Sequence, residues 1–222
     1  FGSAESLVIE ERETPAPGKG ELLIDIKAAG LNFPDVLTVQ GKYQITPDLP
    51  FVPGVESAGI VAAVGEGVTQ FKVGDRVIST IAIGAFATAC IAPEGVVMPM
   101  ASNMTFEQAA GFCITYATSY YAFKQRAQLK PGETVLVLGA AGGVGITAIQ
   151  IAKHMGAKVI AAASTEEKLD FACAAGADMR INYSTENLKD KIKELTGGKG
   201  ADVIYDPVGG DYSEQALSLI HI

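Results

Sequence analysis

The stretch ETVLVLGAAGGVGITAIQIAKHMGAKVIAAAS at residues 133–164 restricts the chain to a narrow set of folds. Residues 134–138 are a β-branched and apolar run, the kind buried on both faces when helices cover a parallel sheet. Gly139, Gly142 and Gly145 then recur at every third position. Lacking Cβ atoms, they let the backbone turn sharply, approach a pyrophosphate and pack the next helix tightly on the strand. That helix aims its unpaired N–H groups and the positive end of its dipole at the phosphates. It is expected to stop at Gly156, and residues 158–163 supply a second strand. Strand, glycine turn, helix and strand in one βαβ unit form the setting in which such a triplet signifies dinucleotide binding.

One βαβ unit takes up only part of 222 residues, so two domains are expected. Hydrophobic residues at 48% and charged residues at 19% are an ordinary globular balance, which argues against disorder. A formal charge of −8 argues against a protein that works by neutralising nucleic-acid phosphates. Cys90, Cys113 and Cys173 fall in no metal-type spacing and read as small buried hydrophobes in a reducing compartment. No apolar run of about 18 residues and no basic-then-apolar opening is present. No membrane partner is therefore expected, and the expected location is cytoplasmic.

Residues 21–28 alternate, with Leu22, Ile24, Ile26 and Ala28 on one face and Asp25 and Lys27 on the other, which describes a half-buried strand. Residues 30–54 are rich in Pro and Gly, too irregular for one element and of the kind that carries sites. Strands are expected at 57–64 and 71–79, with two shorter ones within 84–100, and short strands with frequent turns suggest a small barrel. Thr105 and Gln108 read as a capping box that opens a helix running to about residue 124 and bridging the domains. Beyond the βαβ unit, Ser164 and Glu167 read as a second capping box, for a helix running to Gly176. A strand at 179–182, a helix at 188–195 and a strand at 201–205 follow. A dinucleotide sheet of order 3-2-1-4-5-6 needs two more strands, so the second domain is expected to be truncated. Phe1 in place of Met suggests that a few residues are missing there too. Residues 217–222, LSLIHI, resemble the translation of a transposon-derived sequencing adapter and are expected to be non-native.

Taken together, AAGLNFPDVLTVQGKY, PFVPGVESAGIVAAVG, VGDRV, AAGGVG with the helix after it, INY at 181–183 and YDPVGG at 205–210 resemble a known family. It is that of the zinc-free NADPH:quinone oxidoreductases related to zeta-crystallin, within the medium-chain dehydrogenase/reductase superfamily. The resemblance runs from residue 6 to 217. It implies an α/β chain with a GroES-like β-barrel domain at 1–104, then a Rossmann domain at 105–216 truncated after its fourth strand, and a homodimer when full length. NADPH and a small-molecule substrate are implied in the cleft between the domains. The implied reaction is hydride transfer from NADPH to a quinone. Enoyl-thioester or enone reduction, and a non-catalytic NADPH-binding role, are the alternatives.

Zinc alcohol dehydrogenases also resemble the chain, but they place a cysteine in the loop occupied here by residues 32–35 and a His where this chain has Val55 before Glu56. With neither ligand present, and no cluster of four cysteines for a structural zinc, no metal is expected. Reducing an electron-poor quinone or conjugated carbonyl needs a well-placed hydride and hydrogen bonds to the oxygen that gains charge, which suits a site without a Lewis acid.

By resemblance, Asn32 offers its amide to the nicotinamide or to the substrate oxygen, while an Asx turn before Phe33 and Pro34 reads equally well. Tyr43 resembles a tyrosine that borders the quinone pocket, or else packs its own loop. Thr118 matches a threonine near the nicotinamide, or else faces a helix neighbour. Asp35 reads as a cap of the following turn and Glu56 as a support of the cleft. Gly142, Gly143, Val144 and Gly145 are the residues expected to hold the pyrophosphate end of the cofactor.

The choice of NADPH over NADH follows from charge. NAD-binding folds usually end the second strand with an acid that accepts the ribose 2′-hydroxyl and would repel a 2′-phosphate. Here Ala163 and Ser164 stand at that place. By resemblance Lys168 and Tyr183 reach the 2′-phosphate, with Ser164 as a further donor. Against this, Glu166 and Glu167 share the first helical turn, where the dipole alone explains them, and Lys168 also reads as a solvated lysine.

Overall fold

The computed structural model describes residues 1–217. It divides into two compact units, Phe1–Ile114 and the chain from Thr115 onward.

The first unit contains β1 (Glu21–Gly30), α1 (Phe33–Val39), β2 (Glu56–Val64), β3 (Arg76–Thr80), β4 (Ala89–Pro93), β5 (Val97–Pro99) and α2 (Phe106–Ala110). Its strands form one antiparallel sheet of order β4-β1-β2-β3-β5. Leu22 and Ile24 of β1 point inward and meet Val61, Val77, Cys90, Ala92 and Val97, because alternate residues of a strand share a face. A second cluster, Ala58, Ile78, Met100, Ala109, Ala110 and Cys113, lies under α2. Since α2 packs on β1 and β2, it belongs to the first unit, and the division lies beyond the boundary expected at residue 104.

The second unit begins within α3 (Cys113–Tyr121), which runs into a wide π-helical turn at Ala122–Ala127. It continues through β6 (Thr134–Leu138), α4 (Gly143–His154), β7 (Lys158–Ala163), α5 (Glu166–Ala174), β8 (Met179–Asn182), α6 (Leu188–Leu195), β9 (Val203–Tyr205) and α7 (Asp211–Leu217). The four strands are parallel, in the order β8-β7-β6-β9. Val135, Val137, Val159 and Ala161 face one core with Ala148, Ile149 and Leu169, while Leu136, Leu138, Ile160 and Ala162 face the other with Ile181, Leu188 and Ile192. Covered on both faces, the strands carry the near-continuous apolar runs visible in the sequence. The chain passes from β6 outward to β7 and β8 and then returns to the far side of β6 as β9. The crevice at the carboxyl ends of β6 and β9 is thus a topological switch point, where doubly wound sheets bind ligands.

Several boundaries differ from expectation. Residues 30–54 contain a helix, α1, opened by Asp35 Oδ2, which accepts the Asn32 N–H at 2.8 Å. The helix expected to run unbroken from 106 to 124 stops at Gly111 and restarts as α3. β3 begins at Arg76 rather than 71, because Gly74 takes a left-handed φ of 93° in the preceding turn. β9 begins at Val203 rather than 201. Of the expected non-native tail, Leu217 ends α7, and residues 218–222 lie outside the described residues. No helix among the described residues is long and apolar enough to cross a membrane.

Candidate functional site

The glycine turn sits at the switch point. Gly139 has a φ of 58°, its carbonyl accepts the Gly142 N–H at 2.9 Å, and the Gly142 carbonyl accepts the Ile146 N–H at 2.9 Å to start α4. A Cβ on Gly145 would run into the Gly139 carbonyl oxygen and stand 2.8 Å from the Ala140 carbonyl, so only glycine lets the helix pack this close to the turn. Gly142 is the N-cap, and no side chain caps the helix. The first-turn N–H groups, at Gly143, Val144 and Gly145, therefore form the kind of cradle an anion such as a pyrophosphate fits. On the opposite wall, the Asp206 carboxylate accepts the Val208 and Gly209 N–H groups at 2.9 Å each, and Val208 Cγ2 lies 2.8 Å from the place a Gly139 Cβ would take.

At the end of β7 three donors converge. Lys168 Nζ donates to Ser164 Oγ at 3.2 Å. The Tyr183 N–H closes onto the Ala163 carbonyl at 3.1 Å, which brings its phenol to the Ser164 hydroxyl. Burial pushes the Tyr183 phenol above its ordinary value, the neighbouring Tyr212 pushes it further, and Ser164 pulls it back. The two tyrosine rings stand 4.5 Å apart. Ser164 is not the cap of α5, contrary to expectation: Thr165 is the N-cap, its hydroxyl accepting the Lys168 N–H at 3.3 Å. That leaves the Ser164 hydroxyl to its two neighbours. Glu166 turns away toward β8, accepting Asn182 Nδ2 at 2.7 Å and lying 3.8 Å from Arg180.

The first unit holds a different constellation. Asn32, the N-cap of α1, gives its backbone N–H to Asp35 and its Nδ2 to Glu56 Oε1 at 2.9 Å, while Glu56 Oε2 accepts the Ile114 N–H at 3.0 Å. Asp35 is 2% exposed and Glu56 1%, so two carboxylates sit out of water side by side. Burial raises both above the ordinary carboxylate range. The Asn32 and Val55 N–H groups work against this at Asp35, and the Asn32 amide and Ile114 N–H do so at Glu56. Asp35 Oδ1 makes no well-formed hydrogen bond among the described residues. Burial and the Glu56 charge push the Cys113 thiol up to about 11. Around Asn32 the surface is apolar, with Leu31 and Phe33 exposed at 76% and 73%. Tyr43 is half-buried in the bend after α1.

Residues 18–102 match the model for an alcohol dehydrogenase GroES-like domain, and residues 143–222 match that for a zinc-binding dehydrogenase. The quinone oxidoreductase-like protein 2 homolog of Nematostella vectensis is 43% identical over 217 residues, covering 96% of this chain and 59% of the relative. The crystal structure of Escherichia coli quinone oxidoreductase complexed with NADPH superposes with a TM-score of 0.94 at 39% identity, over 99% of this chain and 68% of that one. The chain belongs to the quinone oxidoreductase family of the medium-chain dehydrogenases/reductases. The CurK enoyl reductase is similar as well, with a TM-score of 0.91 at 32% identity over 99% of this chain and 68% of that one. The chain spans about three fifths of the length of the curated relatives it matches, 59% of the first.

In this quinone oxidoreductase family member the expected residues fall into two groups. Gly142, Gly143, Val144, Gly145, Ser164, Lys168 and Tyr183 all lie at the carboxyl ends of β6, β7 and β8 in the second unit, where Ser164, Lys168 and Tyr183 come together. Thr118 is in the same unit, exposed on α3, whereas Asn32 and Tyr43 belong to the first unit. The Asn32–Glu56 bond and the Tyr183–Tyr212 ring pair were not foreseen. A lone Glu among the small and apolar residues of GVESAGIV was the available signal for the first, and nothing local marks the second. Among the described residues no three His, Cys, Asp or Glu side chains come together to hold a metal ion. Val55 and Asn32 offer no nitrogen or sulfur ligand of the kind zinc prefers, and the Glu56 carboxylate is already taken by two N–H donors.

Proposed function

We propose that the chain serves an NADPH-dependent reductase that transfers hydride to a quinone without a metal. The observation that carries this reading is the grouping of Ser164, Lys168 and Tyr183 at the end of β7, where an NAD-specific fold would place an acid. Three donors, one of them cationic, suit a 2′-phosphate dianion, and the pyrophosphate fits the uncapped start of α4.

NADPH supplies the hydride, and a quinone that gains it together with one proton becomes the hydroquinone. Asn32 and Thr118 are assigned to orienting the nicotinamide or the substrate oxygen, and Tyr43 to bordering the substrate. Leu31 and Phe33 offer apolar surface for a flat, poorly hydrated ring. With Val55 and residues 32–35 offering no His or Cys, stabilisation of the oxygen that gains charge falls to hydrogen-bond donors. The similarity to an enoyl reductase favours a conjugated carbonyl or enoyl thioester as the second reading.

The test follows NADPH absorbance with the complete protein and a panel of quinones, enones and enoyl thioesters, with and without a strong chelator. Oxidation with quinones, unchanged by the chelator, is expected. Oxidation with enoyl thioesters alone would select the second reading. Tight NADPH binding without oxidation would make the protein a binder rather than an enzyme. An activity lost to the chelator and restored by zinc would overturn the metal-free reading.

A further inference from the structure

Glu56 is fully buried, and its carboxylate is held from several sides. The register of β2 against β1 sets it opposite Gly30. A Cβ on Gly30 would stand 2.6 Å from Glu56 Oε1 and collide with the Ala110 carbonyl oxygen, so only glycine leaves the carboxylate its place. There Oε2 accepts the Ile114 N–H and Oε1 accepts Asn32 Nδ2. An ionised carboxylate accepts hydrogen bonds and cannot donate them, so of the two ends of an amide it can face only the NH2. Turning the Asn32 amide over would set two acceptors against each other in a buried site.

We propose that Glu56 is a positioning residue that locks the orientation of the Asn32 side-chain amide. The lock holds before anything binds, so a group meeting Asn32 finds the amide already turned. The catalytic consequence rests on the proposed role of Asn32; the lock itself does not. The groups that face Glu56 are Asp35 from α1 and Cys113 from α3, and the Asp35 charge adds to burial in favouring a proton on Glu56. As pH falls through that titration, Glu56 gains a hydrogen to donate and no longer dictates which end of the Asn32 amide faces it.

Side-chain amide NMR on the nitrogen-15-labelled chain reads the lock with no substrate present. The Asn32 signals are assigned by their loss in Asn32→Ala. They should shift as Glu56 titrates in the wild type and move in Glu56→Gln, whose Gln can satisfy only one of the two N–H donors, while the backbone fingerprint stays native. Asn32 signals that ignore both the titration and the substitution overturn the proposal. If Glu56→Gln does not fold, the wild-type titration decides alone.

In turnover assays of the complete protein, Glu56→Gln should lower kcat on the order of tenfold, leave KM for NADPH little changed, and cost little more once Asn32 is Ala. Losses that multiply in the double variant would mean that Glu56 acts through something other than Asn32, and would overturn the proposal. A locked amide in a protein that reduces no quinone would sink the proposed function and leave the lock standing.

Discussion

Asp35 and Glu56 show what a buried carboxylate costs. Burial makes each hold its proton more tightly in the fold than an unfolded chain would. Such a group stabilises the fold below its unfolded pKa and loses that contribution as pH rises through the higher folded value. The pair therefore works against stability at neutral pH, opposed by the N–H groups of Asn32 and Ile114. Asp35→Asn keeps an oxygen for the Asn32 N–H and removes one of the two titrations. Denaturant unfolding should then show the variant losing less stability than the wild type between about pH 4 and pH 8. Identical pH profiles would mean that Asp35 does not titrate as a buried group.

The adjacent hydroxyls of Ser164 and Thr165 do different work, although both precede α5. Thr165→Ala removes the N-cap and should cost about 1 kcal/mol of stability, while Ser164→Ala should stay within about 0.5 kcal/mol. A thermal or denaturant comparison in which Ser164→Ala is the more damaging would contradict this division. The pair also shows where sequence reading stops. Ser164 and Glu167 complete a capping box on paper and Thr165 and Lys168 do not, yet a single residue of extended backbone at Thr165 settles the matter. The β6–α4–β7 unit was legible because an apolar run, spaced glycines and Gly156 act locally. α1 was not, since seven residues with a Pro inside a Pro- and Gly-rich stretch carry little periodicity. The break at Gly111 and the contact of Glu56 with Asn32 depend on α2 packing against the sheet and on the register of Glu56 opposite Gly30. Neither is encoded within a few residues.

Each of the two units has its own buried clusters, and every residue assigned to the pyrophosphate or the 2′-phosphate lies in the second. The chain as a whole carries a formal charge of −8, so a polyanionic cofactor must be met by local donors rather than by a favourable overall field. Lys168 is the cation placed among those donors. The decisive measurement is a calorimetric titration of NADPH and NADH into this chain and its Lys168→Ala variant. The wild type should prefer NADPH. Lys168→Ala should weaken NADPH about tenfold or more, as loss of a charge-assisted bond worth roughly 1.5 to 3 kcal/mol requires, and should leave NADH nearly unchanged. Equal losses for both cofactors, or a wild type that prefers NADH, would contradict the assignment of Ser164, Lys168 and Tyr183 to a 2′-phosphate.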